Sequence, residues 1–353
     1  IQSIVPILEK LEKNNSVKQI LVTSNTLSSS KVLKINKFNK VIHQFFPIDT
    51  NFLTKKFIDY WKPSKALFVD SEIWPNTIHN LNKKKIPIVL LNGRITKKTY
   101  DKWRKISNFS KKLFGNFNLS LSSSKESYEY LKKLHFSNVK FIGNLKYSQA
   151  ENEDFYINQN LKKFLSSKKT WCASSTHESE ELFIGKTHKI LKEKIKNLVT
   201  IIIPRHIDRS LEIKKDLEKL DLSVHLDKPQ KKINPNTDIY LVNSYGKTKS
   251  FYKNCKNIFL GGSLIKHGGQ NPLEAARFGC AIAHGPNVNN FKEIYNYLKK
   301  NRISFCINRH EVLSDKLVFL FKKKSSSKKI QNKIKITGDQ ILKKTYNEIF
   351  IKD

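Results

Sequence analysis

The chain has 353 residues, 39% hydrophobic and 11% aromatic, which excludes a peptide or a globally disordered protein and fits two ordinary domains or one large α/β enzyme. Its formal charge is +36, from 66 Lys and Arg against 30 Asp and Glu, a balance that suits nucleic acid or an anionic membrane surface. The Lys are scattered and form no basic tail, so the plainer reading is a drift toward Lys over a solvated surface.

The elements begin with residues 1–11, where Ile1, Ile4, Val5, Leu8 and Leu11 fall at helical spacing without a capping residue before them. Residues 18–23 follow as a buried strand. In an alternating chain a strand and a loop are expected ahead of such a helix, so a piece N-terminal to Ile1 is expected. Strands are predicted at 41–46, 66–69, 86–91, 118–121 and 139–142, with helical periodicity between them, as at 73–81 and 125–134. Residues 144–160 lapse into a polar stretch that reads as a linker.

A second series then predicts strands at 170–174, 198–203, 238–242, 257–260 and 280–283. Helices are predicted at 178–192, 211–220, 272–278 and 291–298, and a Ser/Lys loop at 325–329 precedes a last helix at 331–350. Repeated βα units imply mostly parallel sheets covered on both faces. The division expected is a Rossmann-like domain over 1–146, a linker over 147–165, a second Rossmann-like domain over 166–330, and a C-terminal helix over 331–353 that packs back on the first domain. Two doubly wound domains are expected to face a central cleft.

The cysteines, at 172, 255, 280 and 306, form no C-x-x-C and suggest neither a disulfide framework nor a zinc site, which fits a reducing compartment. No apolar run approaches the ~18 residues of a spanning helix. Only seven of the cations are Arg, at 94, 104, 205, 209, 277, 302 and 309. Readers of bases and phosphates favour the planar fork of Arg. Nucleic acid is therefore not expected as a partner, and each Arg marks a place where guanidinium geometry matters.

Five strand-to-helix junctions carry the chemistry. In Val69-Asp-Ser-Glu-Ile-Trp-Pro-Asn76, Asp70 or Ser71 caps the next helix and Glu72 complements its dipole, or the carboxylates serve a site. In Asn92-Gly-Arg-Ile-Thr96, Arg94 suits an anion or carboxylate. In Ala173-Ser-Ser-Thr-His-Glu-Ser-Glu-Glu181, small hydroxyls expose backbone N–H groups that suit a phosphate, or Ser175 or Thr176 simply caps. His177-Glu178 begins H-E-x-x-H, but position 181 is Glu, so the zinc-protease pattern fails. In Ile203-Pro-Arg-His206, Arg205 is a candidate phosphate clamp.

The fifth junction, 261–274, holds four glycines in nine residues and enters a helix at Pro272. Glu274 stands in that helix's first turn, where a carboxylate accepts from a ribose diol. The pattern is neither a P-loop nor G-x-G-x-x-G, and it points to a nucleotide sugar.

Together these segments resemble the 3-deoxy-D-manno-octulosonic acid (Kdo) transferases of lipopolysaccharide synthesis. The family's acidic-residue-[IL]-W-P-N loop is matched by Ser71-Glu-Ile-Trp-Pro-Asn76, and its N-A-R-[LI]-S by Asn92-Gly-Arg-Ile-Thr96. G-[NS]-L-K-[FY] is matched by Gly143-Asn-Leu-Lys-Tyr147, S-T-H-E-G-E-E by Ser175-Thr-His-Glu-Ser-Glu-Glu181, and P-R-H-x-x-R by Pro204-Arg-His-Ile-Asp-Arg209. The Gly-rich loop, N-P-L-E, G-P and N-F fall at 261–274, Gly285-Pro286 and Asn290-Phe291.

The resemblance implies the GT-B glycosyltransferase fold, with CMP-Kdo as donor and a lipid A precursor (lipid IVA) as acceptor. It also implies inversion, no metal and no cofactor, and a place at the cytoplasmic face of the inner membrane, against an anionic surface. It assigns Pro204, Arg205, Tyr245, Gly246, Lys247, Asn271, Pro272, Leu273 and Glu274 to CMP. Glu72, Arg94, Ser175, Thr176, His177, Gly262 and Ser263 become candidate sugar, phosphate or acceptor contacts.

Three positions depart from the family. Lys247 stands where the family has Glu, and a Lys donates but cannot accept; it is expected to pair with the donor's phosphate or carboxylate instead. Ser179 replaces Gly, and Gly93 replaces Ala. The family's catalytic Glu sits just before a helix resembling residues 1–11, so no catalytic residue is assigned within this sequence. Protein beginning at Ile1 is expected to be inactive. The alternatives are another GT-B enzyme using a UDP-sugar, such as a lipid-disaccharide synthase or an epimerase, and a basic nucleic-acid-binding protein.

Overall fold

The structure is a computed structural model that describes residues 1–149, 156–227, 232–323 and 326–350. The middle of the expected linker, 150–155, and Ser325 of the Ser/Lys loop lie outside the described residues. The chain divides into two compact units, residues Ile1–Ala150 with Lys335–Asp353, and Glu151–Ile334.

In the first unit the strands are β1 (Ile20–Ser24), β2 (Val41–Phe45), β3 (Ala66–Val69), β4 (Ile88–Gly93), β5 (Leu119–Ser122) and β6 (Val139–Phe141). All pair in parallel, as a two-stranded β1-β2 sheet and a four-stranded sheet in the order β3-β4-β5-β6. A core of Ile78, Leu81, Leu90, Phe114, Phe117 and Leu131 packs helices against the larger sheet. Burying such side chains contributes about 1.5–3 kcal/mol each.

The last helix, Ser327–Phe350, supplies contacts to this unit from its C-terminal part. Tyr346 Oη accepts from Asn14 Nδ2 at 2.8 Å, Glu348 pairs with Lys140 at 2.7 Å, and the Ile349 carbonyl accepts from Lys65 Nζ at 2.7 Å. A Cβ on Gly338 would lie 2.4 Å from the Tyr147 carbonyl oxygen, so only Gly allows that approach.

The second unit holds β7 (Lys169–Thr176), β8 (Leu198–Pro204), β9 (Val224–Leu226), β10 (Ile239–Leu241), β11 (Asn257–Leu260), β12 (Ala281–His284) and β13 (Ser304–Cys306). They form one parallel sheet in the order β13-β12-β11-β7-β8-β10-β9. The central strands are buried along their length because helices cover both faces, which explains their near-continuous apolar sequence. The chain winds outward from β7 through β8, then returns to lay β11 on the other side of β7. That reversal is a topological switch point at the carboxyl ends of β7 and β11, the place where open α/β sheets bind ligands.

Most predicted strands fall within two residues of the observed ones. The three-residue strands β9 and β13 escape the sequence pattern because they are too short to show an apolar run. Helices Leu27–Ile35, Asn51–Trp61 and Gln159–Ser166 were likewise not predicted. Cys172, Cys255 and Cys280 are buried free thiols, pushed well up by burial, and Cys306 is exposed.

One cap is corrected. Helix Pro75–Lys83 is capped by neither Asp70 nor Ser71, since both precede its start by several residues. Asp49, from the loop after β2, accepts from Asn76 N at 3.0 Å, Thr77 N at 2.9 Å and Thr77 Oγ1 at 2.7 Å. It places a carboxylate at the positive helix end. Asp49→Ala is expected to destabilise the first unit by about 1–2 kcal/mol, as capping losses do; denaturant titration of the purified variant checks it.

Candidate active site

Three of the five sequence segments meet at the switch point of the second unit. The register sets Leu260 beside Ser174 and Pro204 beside Thr176, so the loops leaving β7, β8 and β11 emerge together. Backbone bonds extend the alignment, from Arg205 N to Thr176 O at 2.9 Å and from Gly261 N to Ser174 O at 2.9 Å.

The centre of this junction is Glu180, which is 1% exposed. Its Oε2 accepts from His177 N at 3.0 Å and Gly262 N at 2.6 Å. Its Oε1 accepts from Ser263 N at 3.1 Å and Leu264 N at 2.9 Å. Four backbone donors thus converge on one carboxylate, which opens helix Glu180–Lys194. One of them, His177 N, lies in the segment expected to hold a ligand phosphate, and three lie in the Gly-rich loop; these four are taken by the protein's own anion. Ser175 and Thr176 do not cap the helix either; Ser179 stands at its N-cap without a side-chain hydrogen bond.

Close approach is required for this arrangement. A Cβ on Gly261 would lie 2.4 Å from the Ser175 carbonyl oxygen and 2.7 Å from Glu180 Oε2. Gly262 adopts φ +64, a left-handed conformation that Gly alone takes freely. Ser263 is fully buried; its Oγ donates to the Leu260 carbonyl and accepts from Gly285 N at 2.8 Å, so its side chain is engaged by the protein. Glu181 is buried beside Glu180 and pairs with Arg209 at 3.5 Å, which gives that Arg a structural role. Burial raises the Glu181 carboxyl above its usual range, while its backbone N–H and Arg209 oppose that rise.

Arg205 is exposed at the rim, and Pro204 is the buried last residue of β8. Tyr245 is 69% exposed and Gly246 adopts φ +83. Lys247 is not a free cation at the loop: its Nζ pairs with the buried Asp227 at 2.5 Å, and Asp227 also accepts from Tyr240 Oη at 2.5 Å. An internal carboxylate therefore takes the charge that was expected to meet the donor. Lys249 lies 3.8 Å from Glu274, joining helix Thr248–Asn254 to the segment that holds Asn271, Pro272 and Leu273. Asn271 Oδ1 accepts from Leu273 N at 3.2 Å. Helix Leu273–Arg277 begins one residue later than expected, with Pro272 at its cap. Among the described residues no group of three or more His, Cys, Asp or Glu could hold a metal ion.

The remaining segments gather in the first unit. Asn92 is buried at the end of β4, with φ +53. Its Nδ2 donates to Asp70 Oδ1 at 2.5 Å and its Oδ1 accepts from Leu145 N at 2.9 Å. One amide thereby ties the loops at 70–76, 92–96 and 143–147. Arg94 N donates to Asp70 O at 3.0 Å, and Glu72 accepts from Trp74 Nε1 at 3.0 Å. Sequence reasoning missed Asn92, Asp227 and the role of Glu180; the left-handed demand at Asn92, a residue type that tolerates it, was the available signal.

The fold and the switch-point loops place the chain in a class: the two-unit GT-B proteins. Solved structures that share the fold include a UDP-N-acetylglucosamine 2-epimerase, with TM-score 0.67 at 11% identity, covering 99% of this chain and 91% of that one. A putative UDP-N-acetylglucosamine 2-epimerase from Listeria monocytogenes gives 0.65 at 12%, covering 100% and 94%. Within that class the chain belongs to the Kdo transferase family. Residues 1–149 match the family model described as 3-deoxy-D-manno-octulosonic-acid transferase (kdotransferase). The 3-deoxy-D-manno-octulosonic acid transferase of Rickettsia bellii is 30% identical over 319 residues, covering 89% of this chain and 75% of that protein. The Rickettsia felis protein of the same name is 31% identical over 312 residues, covering 87% and 66%. The chain thus spans about two thirds to three quarters of the length of these relatives.

Two substitutions test the junction. Glu180→Gln turns an amide N–H₂ toward backbone donors and is expected to destabilise the second unit by about 2–4 kcal/mol, measured by chemical denaturation. Ser179, where the family has Gly, sits exposed at φ +72. The left-handed region costs an L-residue about 1–2 kcal/mol, and a Gly loses about 0.4–1 kcal/mol more on ordering. Ser179→Gly is therefore expected to raise stability by about 0.5–1 kcal/mol, seen as a higher Tm.

Proposed function

We propose that this protein transfers Kdo from CMP-Kdo to a lipid A precursor, with inversion and without a metal, as a step of lipopolysaccharide synthesis. The observation that carries the reading is the switch point of the second unit, where the family's motif segments after β7, β8 and β11 emerge side by side. Ligands of open α/β sheets bind at such points. The similarity to proteins named as Kdo transferases supports the sugar and the nucleotide.

In this reading the acceptor hydroxyl loses its proton to a carboxylate base and attacks the anomeric carbon of Kdo. The bond from that carbon to the CMP phosphate oxygen breaks, and CMP leaves with the electron pair. The protein's part is electrostatic: Arg205 at the rim meets the phosphate charge as it develops. Glu274 faces the ribose, and Asn271, Pro272 and Leu273 shape the nucleotide's seat. Tyr245 and Gly246 contribute surface and backbone, whereas Lys247 acts through its pair with Asp227. In the first unit Glu72 and Arg94 are acceptor-side contacts. The excess of Lys suits an anionic membrane at the cytoplasmic face of the inner membrane, where the acceptor would lie. Among the described residues no helix is long and apolar enough to cross a membrane.

CMP is expected to raise the Tm of the chain and UDP at equal concentration to leave it unchanged. Arg205→Ala, at an exposed position, is expected to weaken CMP at least about ten-fold, the value of a charge-assisted hydrogen bond, with the ligand-free Tm intact. A shift with UDP but not CMP would give the site to a UDP-sugar enzyme.

A further inference from the structure

Two adjacent residues of the junction, Thr176 and His177, each leave a buried polar atom, Oγ1 and Nε2, without a hydrogen-bond partner among the described residues. His177 is 9% exposed, and its Nε2 is buried with no hydrogen-bond partner among the described residues. The ring is not loosely placed, since Glu180 holds the His177 backbone N–H at 3.0 Å. A polar nitrogen left bare in a fixed position costs stability unless something else meets it.

The surroundings of that nitrogen are basic on each packed element. The His267 ring, from the loop after β11, lies 4.4 Å from the His177 ring between centroids, and the His206 ring, from the loop after β8, lies at 5.9 Å. Arg205 and Arg209 come from the same loop as His206. Burial above all, then His267, His206, Arg205 and Arg209, hold His177 down at about 4. Of the nearby acids, Glu178 is exposed, and Glu180 and Glu181 of the helix that follows are engaged by four backbone N–H groups and by Arg209. Gly262 packs beside the two rings; a Cβ there would stand 3.2 Å from His177 Nε2 and 3.1 Å from His267 Nδ1. His206, His267 and Arg205 are exposed above this floor.

We infer that His177 Nε2 is the inner contact of an anion seat, rimmed by His206, His267 and Arg205, that receives an oxyanion of the donor. The chemistry is shared by the phosphate and the sugar carboxylate of CMP-Kdo, and the inference rests on the CMP-Kdo reading. An anion entering the seat gives Nε2 an acceptor once that nitrogen carries a proton. The sign follows. His177 is neutral when the seat is empty at pH 6–8; an anion beside it favours the protonated ring; binding therefore takes up protons and weakens as pH rises.

The test is calorimetric titration of the whole chain with CMP, with free Kdo and with cytidine, at pH 6 and pH 8, in two buffers of different ionisation enthalpy. The phosphate of CMP loses its own second proton near pH ~6, so the pH effect is read as the difference between wild type and His177→Asn. The wild type is expected to take up protons on binding CMP or Kdo. His177→Asn is expected to abolish that uptake and weaken the same ligand about ten-fold, with cytidine unaffected. His267→Gln, an exposed change that spares the fold, should weaken the same ligand. A loss confined to CMP assigns the seat to the phosphate, and one confined to Kdo assigns it to the carboxylate. CMP binding that is equally tight in His177→Asn, with no proton uptake and no change for Kdo, overturns the seat alone. A wild type that binds neither CMP nor Kdo overturns the donor reading and the seat with it.

Discussion

The second unit is organised around a carboxylate that never reaches solvent. Glu180 gathers N–H groups from His177 on one loop and from Gly262, Ser263 and Leu264 on another. A buried carboxylate without donors would be costly, and so would four buried amides without acceptors. Each removes the other's penalty, and both loops are fixed as a consequence. Side chains are excluded from the contact, which is why Gly261 has no room for a Cβ. The glycines of this loop serve the protein's own anion first, and only through it any ligand.

That order changes what a Gly-rich loop after a strand signifies here. In phosphate-binding loops the backbone N–H groups face the ligand. Here they face inward, so charge recognition falls to side chains at the rim and floor. His177 and His267 stand on the two loops that Glu180 joins, and Arg205 and His206 on the neighbouring loop after β8. The pair of Lys247 with Asp227 follows the same logic on the other side of the sheet: a residue that looks like a ligand contact is turned to an internal partner.

Much of this was legible in the sequence because the signals are local. Alternating apolar runs located most strands of both units, and the motif segments fell at strand ends, as parallel sheets require. What escaped depends on residues far apart in the chain. Asp49 caps a helix 27 residues on, and no spacing rule connects a loop carboxylate to a helix that another strand delivers. Glu178, Glu180 and Glu181 read alike, and only the fold decides that Glu178 is exposed while the other two are buried. Ser179 was legible as a departure from the family's Gly, but its left-handed φ was not. Asn92 sits in a motif, yet its two bonds reach 22 and 53 residues along the chain.

The charge also reads differently once the acids are located. Glu180 and Glu181, with Asp227 and Asp238, are buried and engaged by backbone groups or by basic and hydroxyl side chains. Acids held inside contribute little to the field outside, because their partners neutralise them locally. The pairs of Glu181 with Arg209, Asp238 with Lys192 and Asp227 with Lys247 each cancel within themselves, so the +36 of the sequence still belongs almost entirely to the exposed surface. Such a field concentrates anions near the protein and speeds their capture, with a steep dependence on salt. It does so without specificity. Selection of one anion requires fixed geometry at a desolvated point, and in the proposed seat that point is the buried His177 imidazole, whose backbone Glu180 fixes.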